Sequence, residues 1–484
     1  MKNKKNAVIC FFLICFSSTY AQNNTSSPYS SRGFGEIEQY SNAFSRALGG
    51  SSNGIRTSRT ISLSNPASVG AMKQVSLDFG FRAQYSKVYT DSSARTNYNG
   101  NINYFGLAFP VYKKQVLKDS STTKNENKLY KEYRTLWAVA FGITPYSSIN
   151  VSYYKIQDTS YGQLGNYYSK RGGLSRLYFI NAVNLTPNLS IGLNSSFLFG
   201  QSRSTQTYYL FDTGKARATY YDKNTQLNGF KFDLGLQGER NRDTIVRRDS
   251  VLEGGKMIYK TYRYPVRFVY GATISNQASI RYNEYRQVLN ISNYYTTAAK
   301  DTVLNENNLK GKTNLPMSIS AGFSATFNKL WMVAADYRTD MWSKVDRSLF
   351  NDSFGNSSQI SVGFAYRPDP DVDFSESVKA KGKRKARIEY RFGFRMLNTG
   401  YLFKDNKNQI TALKEYGISF GFGVPKTRTD VDGRNKILLK SLFNFTAEYI
   451  HRGNTLNGML AENVFRLTIG FTLADNWFKQ RKFY

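Results

Sequence analysis

Within residues 315–327, Leu315, Met317, Ile319, Ala321, Phe323, Ala325 and Phe327 occupy every second position. Pro316, Ser318, Ser320, Gly322, Ser324 and Thr326 fill the positions between them. Successive side chains of a β-strand point to opposite faces, so this period of two predicts a strand with one apolar face and one small, polar face. The pattern returns in Phe465, Leu467, Ile469, Phe471 and Leu473, set against Arg466, Thr468, Gly470 and Thr472. It also runs through Val75-Leu77-Phe79-Phe81, Phe230-Phe232-Leu234-Leu236, Ile360-Val362-Phe364-Tyr366, Ile388-Tyr390-Phe392-Phe394 and Phe443-Phe445-Ala447-Tyr449. The opposite faces of these segments carry charge: Asp78, Arg82, Lys231, Asp233, Arg387, Glu389, Arg391, Arg395 and Glu448.

A soluble β-sandwich also alternates, but it buries its apolar faces against each other in short strands. Here many segments exceed the usual sandwich strand length, and the alternation continues without a domain break. The 36 Tyr and 34 Phe suit two interfacial girdles. These features predict an all-β fold, a transmembrane antiparallel β-barrel with lipid-facing apolar positions and a polar lumen. The expected strands are 73–88, 98–111, 135–157, 174–184, 189–203, 226–238, 264–288, 314–327, 330–343, 357–367, 386–402, 410–424, 439–451 and 462–474. They number about 14. The even count puts both termini and the short connections 186–188 and 328–329 on the periplasmic side. Three longer, basic connections then fall there too, at 112–134, 239–263 and 368–385, with the densest run at 379–387.

Export fits this picture. Lys2, Lys4 and Lys5 precede the apolar run 7–16, and Thr19 and Ala21 supply small residues at a cleavage site. Residues 1–21 are therefore expected to be a signal peptide. Cys10 and Cys15 leave with it, so no disulfide is expected in the mature chain. No later stretch is long and apolar enough to be a membrane helix. The formal net charge is +32, or +29 without the three signal lysines. Export and aromatic alternation nonetheless exclude a nucleic-acid reading. His451 is the one histidine, which leaves no zinc cluster and no cysteine–histidine nucleophile. In the expected register its outward neighbours are Ile410, Ala412 and Lys414 on one side and Asn463 on the other, with no serine, so no enzyme, metal or cofactor is expected.

Residues 22–72 precede the first strand, and the barrel is expected to span 73–474, with a periplasmic tail at 475–484. The stretch 46–72 is rich in Gly, Ser and Asn and follows neither strand nor helix periodicity. Irregular backbone at membrane depth is tolerated where protein or water surrounds it. That predicts a luminal plug, with Gly49, Gly50 and Gly54 permitting close backbone approach and Asn65-Pro66 favouring a turn. Pro145 removes a ladder donor and belongs at an edge or bulge of its strand.

The segments "RALGG…SLSNPASVGAM" (46–72) and "VSLDFGF" (75–81) resemble the hatch and first strand of the FadL/TodX family of outer-membrane channels. So do 315–345, 415–425 and "LWAVAFGITPYSS" (136–148), in consistent order over about 430 residues. The resemblance implies a fourteen-stranded barrel, a hatch at Gly49, Gly50, Asn65, Pro66 and Ala67, and a lateral opening where the third strand kinks at Gly142, Pro145 and Tyr146. Two departures are the unusually basic lumen and turns, and a tail after the last strand. The ends "SPYSSRGFGE" (27–36) and "DNWFKQRKFY" (475–484) are similar to a Bacteroidota-type branch, some of whose members are scaffolding partners in a secretion machine.

The function expected first is passive uptake of hydrophobic or amphiphilic small molecules across the outer membrane of a Gram-negative bacterium. Arg391, Arg395 and Arg466 are candidate lumen contacts for an anionic head group, or members of lumen networks with Glu389, Asp336 and Glu448. The alternative is a non-transporting barrel subunit of a larger outer-membrane assembly, such as a secretion or protein-insertion machine. Expected partners are outer-membrane lipid, lipopolysaccharide, a hydrophobic ligand, and acidic proteins at the three basic loops.

Overall fold

Apolar outer faces and polar inner faces are both satisfied when a sheet closes on itself. The computed structural model describes residues 25–475 apart from 39–40, 120–128, 161, 211–217, 254–255, 294–295, 347–348, 351, 369–387, 405–406, 433–434 and 457–458. Fourteen antiparallel strands form the wall: β1 (Val75–Tyr89), β2 (Ala94–Asp119), β3 (Leu129–Thr159), β4 (Gly162–Asn184), β5 (Leu189–Leu210), β6 (Ala218–Glu253), β7 (Lys256–Ser275), β8 (Ser318–Phe327), β9 (Trp331–Asp340), β10 (Ser357–Tyr366), β11 (Glu389–Lys404), β12 (Ile410–Asp432), β13 (Asn435–Gly453) and β14 (Ala461–Asp475). Each pairs with its neighbour, and β14 closes on β1 from Ala461↔Tyr89 to Asp475↔Val75.

The expected alternation sets the faces of the wall. Phe465 and Leu467 are exposed to the outside, while the alternate residues Arg466 and Thr468 are buried inside. Aromatic clusters mark the two rims of the apolar band. At one rim Tyr85 lies against Tyr98 and Phe465, which also touches Tyr449. At the other, Trp331 stacks on Tyr366, and Phe471 contacts Phe79 and Phe443. The end carrying residues 75 and 475 and the turns at 185–188 and 328–330 is the periplasmic one by the rule for bacterial barrels.

The expected strand 264–288 is broken. Asn276 ends it by accepting from the Phe232 N–H (2.8 Å) and donating its own N–H to the Phe232 carbonyl (3.1 Å). An antiparallel hairpin, Ala278–Asn293 and Thr296–Leu315, then stands between β7 and β8 on the extracellular side. β6 is long enough to serve both: residues 218–229 pair with the hairpin and residues 233–253 with β7. Leu315 therefore belongs to the hairpin and is fully buried in the lumen, not outward as its parity suggested.

Two of the three expected periplasmic loops are also corrected. Residues 112–119 and 129–134, and 239–253 and 256–263, are extensions of wall strands, paired out to Asp119↔Leu129 and Glu253↔Lys256. Their sequence holds no sustained alternation of apolar residues, so period two carries no signal there. The third, 368–385, lies almost wholly outside the described residues, as do the signal peptide and all but the first residue of the expected tail, 475–484.

Candidate functional site

Residues 25–72 run down the inside of the wall from its extracellular half to the start of β1, and most of their side chains are buried. Their fit depends on what the wall lacks. A Cβ placed on Gly393 (β11) would meet the Gly49 nitrogen at 1.9 Å, and one on Gly363 (β10) would meet Leu48. Gly322, Gly271, Gly235 and Gly192, on β8, β7, β6 and β5, face Gly54, Asn53, Asn65–Pro66 and Pro66–Ala67 in the same way. Gly421 and Gly470 face Ala47 and Ala43. Inward-facing glycines on eight strands thus let plug backbone lie against wall backbone. Gly49 itself has φ +69°, a left-handed conformation that glycine adopts without strain.

Polar groups complete the fit. The Ser52 and Asn53 N–H groups donate to Asp336 Oδ2 at 2.6 and 2.7 Å. Asn65 caps a short 3₁₀ turn, Pro66–Ala71, by accepting from the Ala67 N–H at 3.0 Å, and Asn65 Nδ2 donates to the Leu236 carbonyl of the wall. An asparagine cap followed by proline at the first helical position explains this local geometry. Gly50 lines the central cavity below.

Arginines and glutamates bind the plug to the wall electrostatically. Glu38 of the plug pairs with Arg82 (2.5 Å) and with Arg46 (3.4 Å), which reaches Glu448 (3.4 Å). Glu448 meets Arg395 (3.8 Å), and Arg395 meets Glu415 (2.5 Å). Arg452 joins Glu415, Glu462 and Glu36, and Glu36 also holds Arg466. Five arginines and five glutamates form one connected, charge-balanced network deep in the lumen. A central cavity of about 130 Å³ is lined by members of this network, by Lys231, Asp336, Arg338 and Asp340, and by Ile37, Tyr146, Trp342, Leu397, Tyr401 and Leu413.

The three candidate lumen arginines all have protein partners. Arg391 pairs with Glu389 (3.3 Å), donates to Asn444 Oδ1 (2.8 Å) and lies over the Phe44 ring of the plug. Arg395 and Arg466 belong to the network above. Glu36, Glu38, Arg46, Glu415, Arg452 and Glu462 were not singled out from the sequence. Their sign was available only as isolated charges, since no spacing connects residue 36 with residue 466.

The third strand is irregular where its proline stands. The ladder to β4 shifts register between Pro145 and Ser147. Over 144–149 the inside–outside alternation disappears: Thr144, Tyr146, Ser147, Ser148 and Ile149 are all buried. Tyr146 packs in the luminal cluster with Phe34, Leu174, Trp342 and Tyr401. Gly142 sits beneath the Tyr178 hydroxyl, with no room for a Cβ. Beyond Phe105↔Ile143 the β2–β3 ladder ends. There the plug pairs with β3 from inside, Glu36↔Ser148 and Ile37↔Ser147. Above the plug an extracellular pocket of about 820 Å³ is lined by Leu174, Leu227, Leu349, Phe350 and Phe403 together with Arg32, Lys170 and Arg286.

His451 pairs across the sheet with Tyr416 and Asn463, and its Nδ1 is 2.7 Å from Asn463 Oδ1. Tyr416, not Ile410, Ala412 or Lys414, is its neighbour on β12. Among the described residues no group of three or more His, Cys, Asp or Glu is arranged to hold a metal ion.

The fold resembles solved outer-membrane channels. A Pseudomonas aeruginosa FadL homologue aligns over 91% of this chain and 99% of its own, with 10% identity and TM-score 0.50. The Ralstonia pickettii toluene transporter TbuX aligns over 90% and 98%, with 13% identity and TM-score 0.49. The Pseudomonas putida toluene transporter TodX aligns over 90% and 99%, also at 13% identity and TM-score 0.49. At such identities the likeness is one of fold alone. No curated protein matches the sequence. The family model described as BamG matches residues 3–118 and 132–484, nearly the whole chain, and this protein therefore belongs to the BamG family.

Proposed function

We propose that this chain is a sealed outer-membrane barrel and a non-transporting subunit of a larger outer-membrane assembly, of the secretion or protein-insertion kind. The fit of plug to wall carries the reading. A hatch that opens must break a buried, balanced ion network and lift backbone off glycines on eight strands. Breaking one buried ion pair already costs about 3–5 kcal/mol. The β2–β3 and β6–β7 ladders run on beyond the wall on the periplasmic side, to Asp119↔Leu129 and Glu253↔Lys256, in stretches whose sequence is basic on balance.

Gentle extraction followed by sizing and mass spectrometry tests the proposal. A stoichiometric complex with other membrane or periplasmic proteins is the expected outcome; a lone barrel of its own mass overturns it. Tethering the plug gives an independent check. Asn53 Nδ2 lies 3.0 Å from Ser320 Oγ of β8, and the mature chain is expected to contain no competing cysteine. Oxidised Asn53→Cys/Ser320→Cys protein should support assembly as well as the reduced form does. A selective defect on oxidation means that the plug has to move.

A second reading, a channel for hydrophobic or amphiphilic small molecules, is favoured by the end of the β2–β3 ladder beside the extracellular pocket. On that reading the bend at Gly142, Pro145 and Tyr146 is the exit. Pro145→Val should then reduce uptake of an apolar probe several-fold, and unchanged uptake rules out this route.

A further inference from the structure

Charge on the outward face of the wall is uneven. The outward positions of β8, β9 and β10, among them Ile319, Tyr337 and Ile360, carry none at any height. On β4, β5 and the extracellular hairpin the same face holds Arg171, Arg203, Arg281, Lys310 and Lys312, all exposed. Alternation fixes their direction. Leu174, Leu227 and Ile280, at the alternate positions, are buried in the lumen, and Lys170, Ser202 and Arg286 line the extracellular pocket.

Register fixes their height. Phe230, 59% exposed on the lipid side, pairs with Phe197 of β5. One outward row higher, Asn228 lies between Phe199 and Arg281, and Arg281 lies opposite Lys312. The next row is Gln201, Gln226, Asn283 and Lys310, and the row above it sets Arg171 opposite Arg203. The cations begin where the apolar band ends, at the level of the outer-leaflet head groups.

Like charges directly opposite each other in a sheet destabilise it. Two such pairs occur here, Arg171 with Arg203 and Arg281 with Lys312. Glu284, between Asn283 and Tyr285, points into the lumen and pairs there with Lys223 and Arg286. Asp222, one row above Arg203, takes that arginine at 2.6 Å. An anion from outside the chain relieves the repulsion that remains. The patch crosses five adjacent strands, about 19 Å at the usual strand spacing, and the amides of Gln201, Gln226 and Asn228 are exposed within it. A single phosphodiester covers one cation pair. A sugar head group with phosphate at its ends covers both, and the amides offer donors and acceptors to its hydroxyls.

We propose that Arg171, Arg203, Arg281, Lys310 and Lys312 bind the phosphorylated sugar head group of an outer-leaflet glycolipid, with its acyl chains running down past Phe199 and Phe230. The site does not depend on whether the barrel is a subunit or a channel.

In the test, full-length protein in detergent is titrated with bisphosphorylated lipid A, with the same lipid A after removal of its phosphates, and with phosphatidylglycerol. Bound lipid is counted by native mass spectrometry. The phosphorylated glycolipid should be held at least about tenfold more tightly than either of the others, since each cation near an anionic surface contributes roughly fivefold. Arg171→Gln/Arg281→Gln/Lys310→Gln should lose that preference. Lys87→Gln/Lys414→Gln, which removes outward cations of β1 and β12, should keep it. Equal binding of dephosphorylated lipid A means no phosphate site, and equal binding of phosphatidylglycerol means a surface for any anionic lipid; either overturns the proposal. So does an unchanged preference in a triple variant that keeps the parent's fold. The comparison of lipids on the parent protein decides the matter even if the triple variant fails to fold.

Discussion

Gly393→Val will leave little folded, heat-modifiable barrel in the membrane, whereas Gly100→Ala will leave it unchanged. A side chain at Gly393 points into the plug, where its Cβ would lie 1.9 Å from the Gly49 nitrogen and 2.3 Å from the Leu48 carbonyl carbon. Overpacking in a core where side chains can shift costs about 1–3 kcal/mol. The neighbours here are backbone atoms, and Gly49 has Phe394 backbone directly against it, so the plug has nowhere to retreat. The expected penalty is at least about 3 kcal/mol, a large share of the roughly 5–15 kcal/mol that holds a typical domain together. At Gly100 the nearest atom to an added Cβ is the Arg82 carbonyl oxygen at 3.8 Å, an ordinary contact. A Gly393→Val barrel that folds and melts like the parent would show that the plug is not seated against the wall as described.

The second large effect is expected at Arg452. This one guanidinium holds Glu36 of the plug, Glu415 of β12 and Glu462 of β14. Arg452→Met keeps much of the volume but takes the cation from Glu462 and leaves Glu36 and Glu415 with Arg466 and Arg395 alone, in a buried site. Removing one partner of a buried pair costs about 3–5 kcal/mol because the remaining charge stays uncompensated. The melting temperature should fall sharply at neutral pH. Acidification should narrow the gap between variant and parent, because a stranded carboxylate is relieved by taking up a proton. A deficit that is constant from neutral pH to pH 4 would mean that lost packing, not stranded charge, is responsible. The double variant Arg452→Met/Glu462→Gln should recover part of the loss, since it removes the orphaned charge.

Much of the wall could be read in residue order because its rule is local. In 465–473 the outward series Phe465, Leu467, Ile469, Phe471 and Leu473 needs no knowledge of any other strand, since lipid on one side and lumen on the other impose a period of two. The same rule failed where both environments are polar. Residues 112–119 and 239–253 are strands without an apolar face, so they read as loops. It also failed at Leu315, where the parity of β8 was carried past Pro316 into a separate hairpin strand.

What the sequence determined by itself is therefore the barrel, its inward and outward faces and its charged interior. All of these depend on residues within one strand or one turn of each other. Only the tertiary structure decided which charges meet. Glu36 and Arg466 are neighbours because the plug threads back beside the last strand. Gly393 needs to be glycine because Gly49 lies against it. Contacts across hundreds of residues depend on the path the plug takes through the closed lumen, and no periodicity along the chain encodes that path.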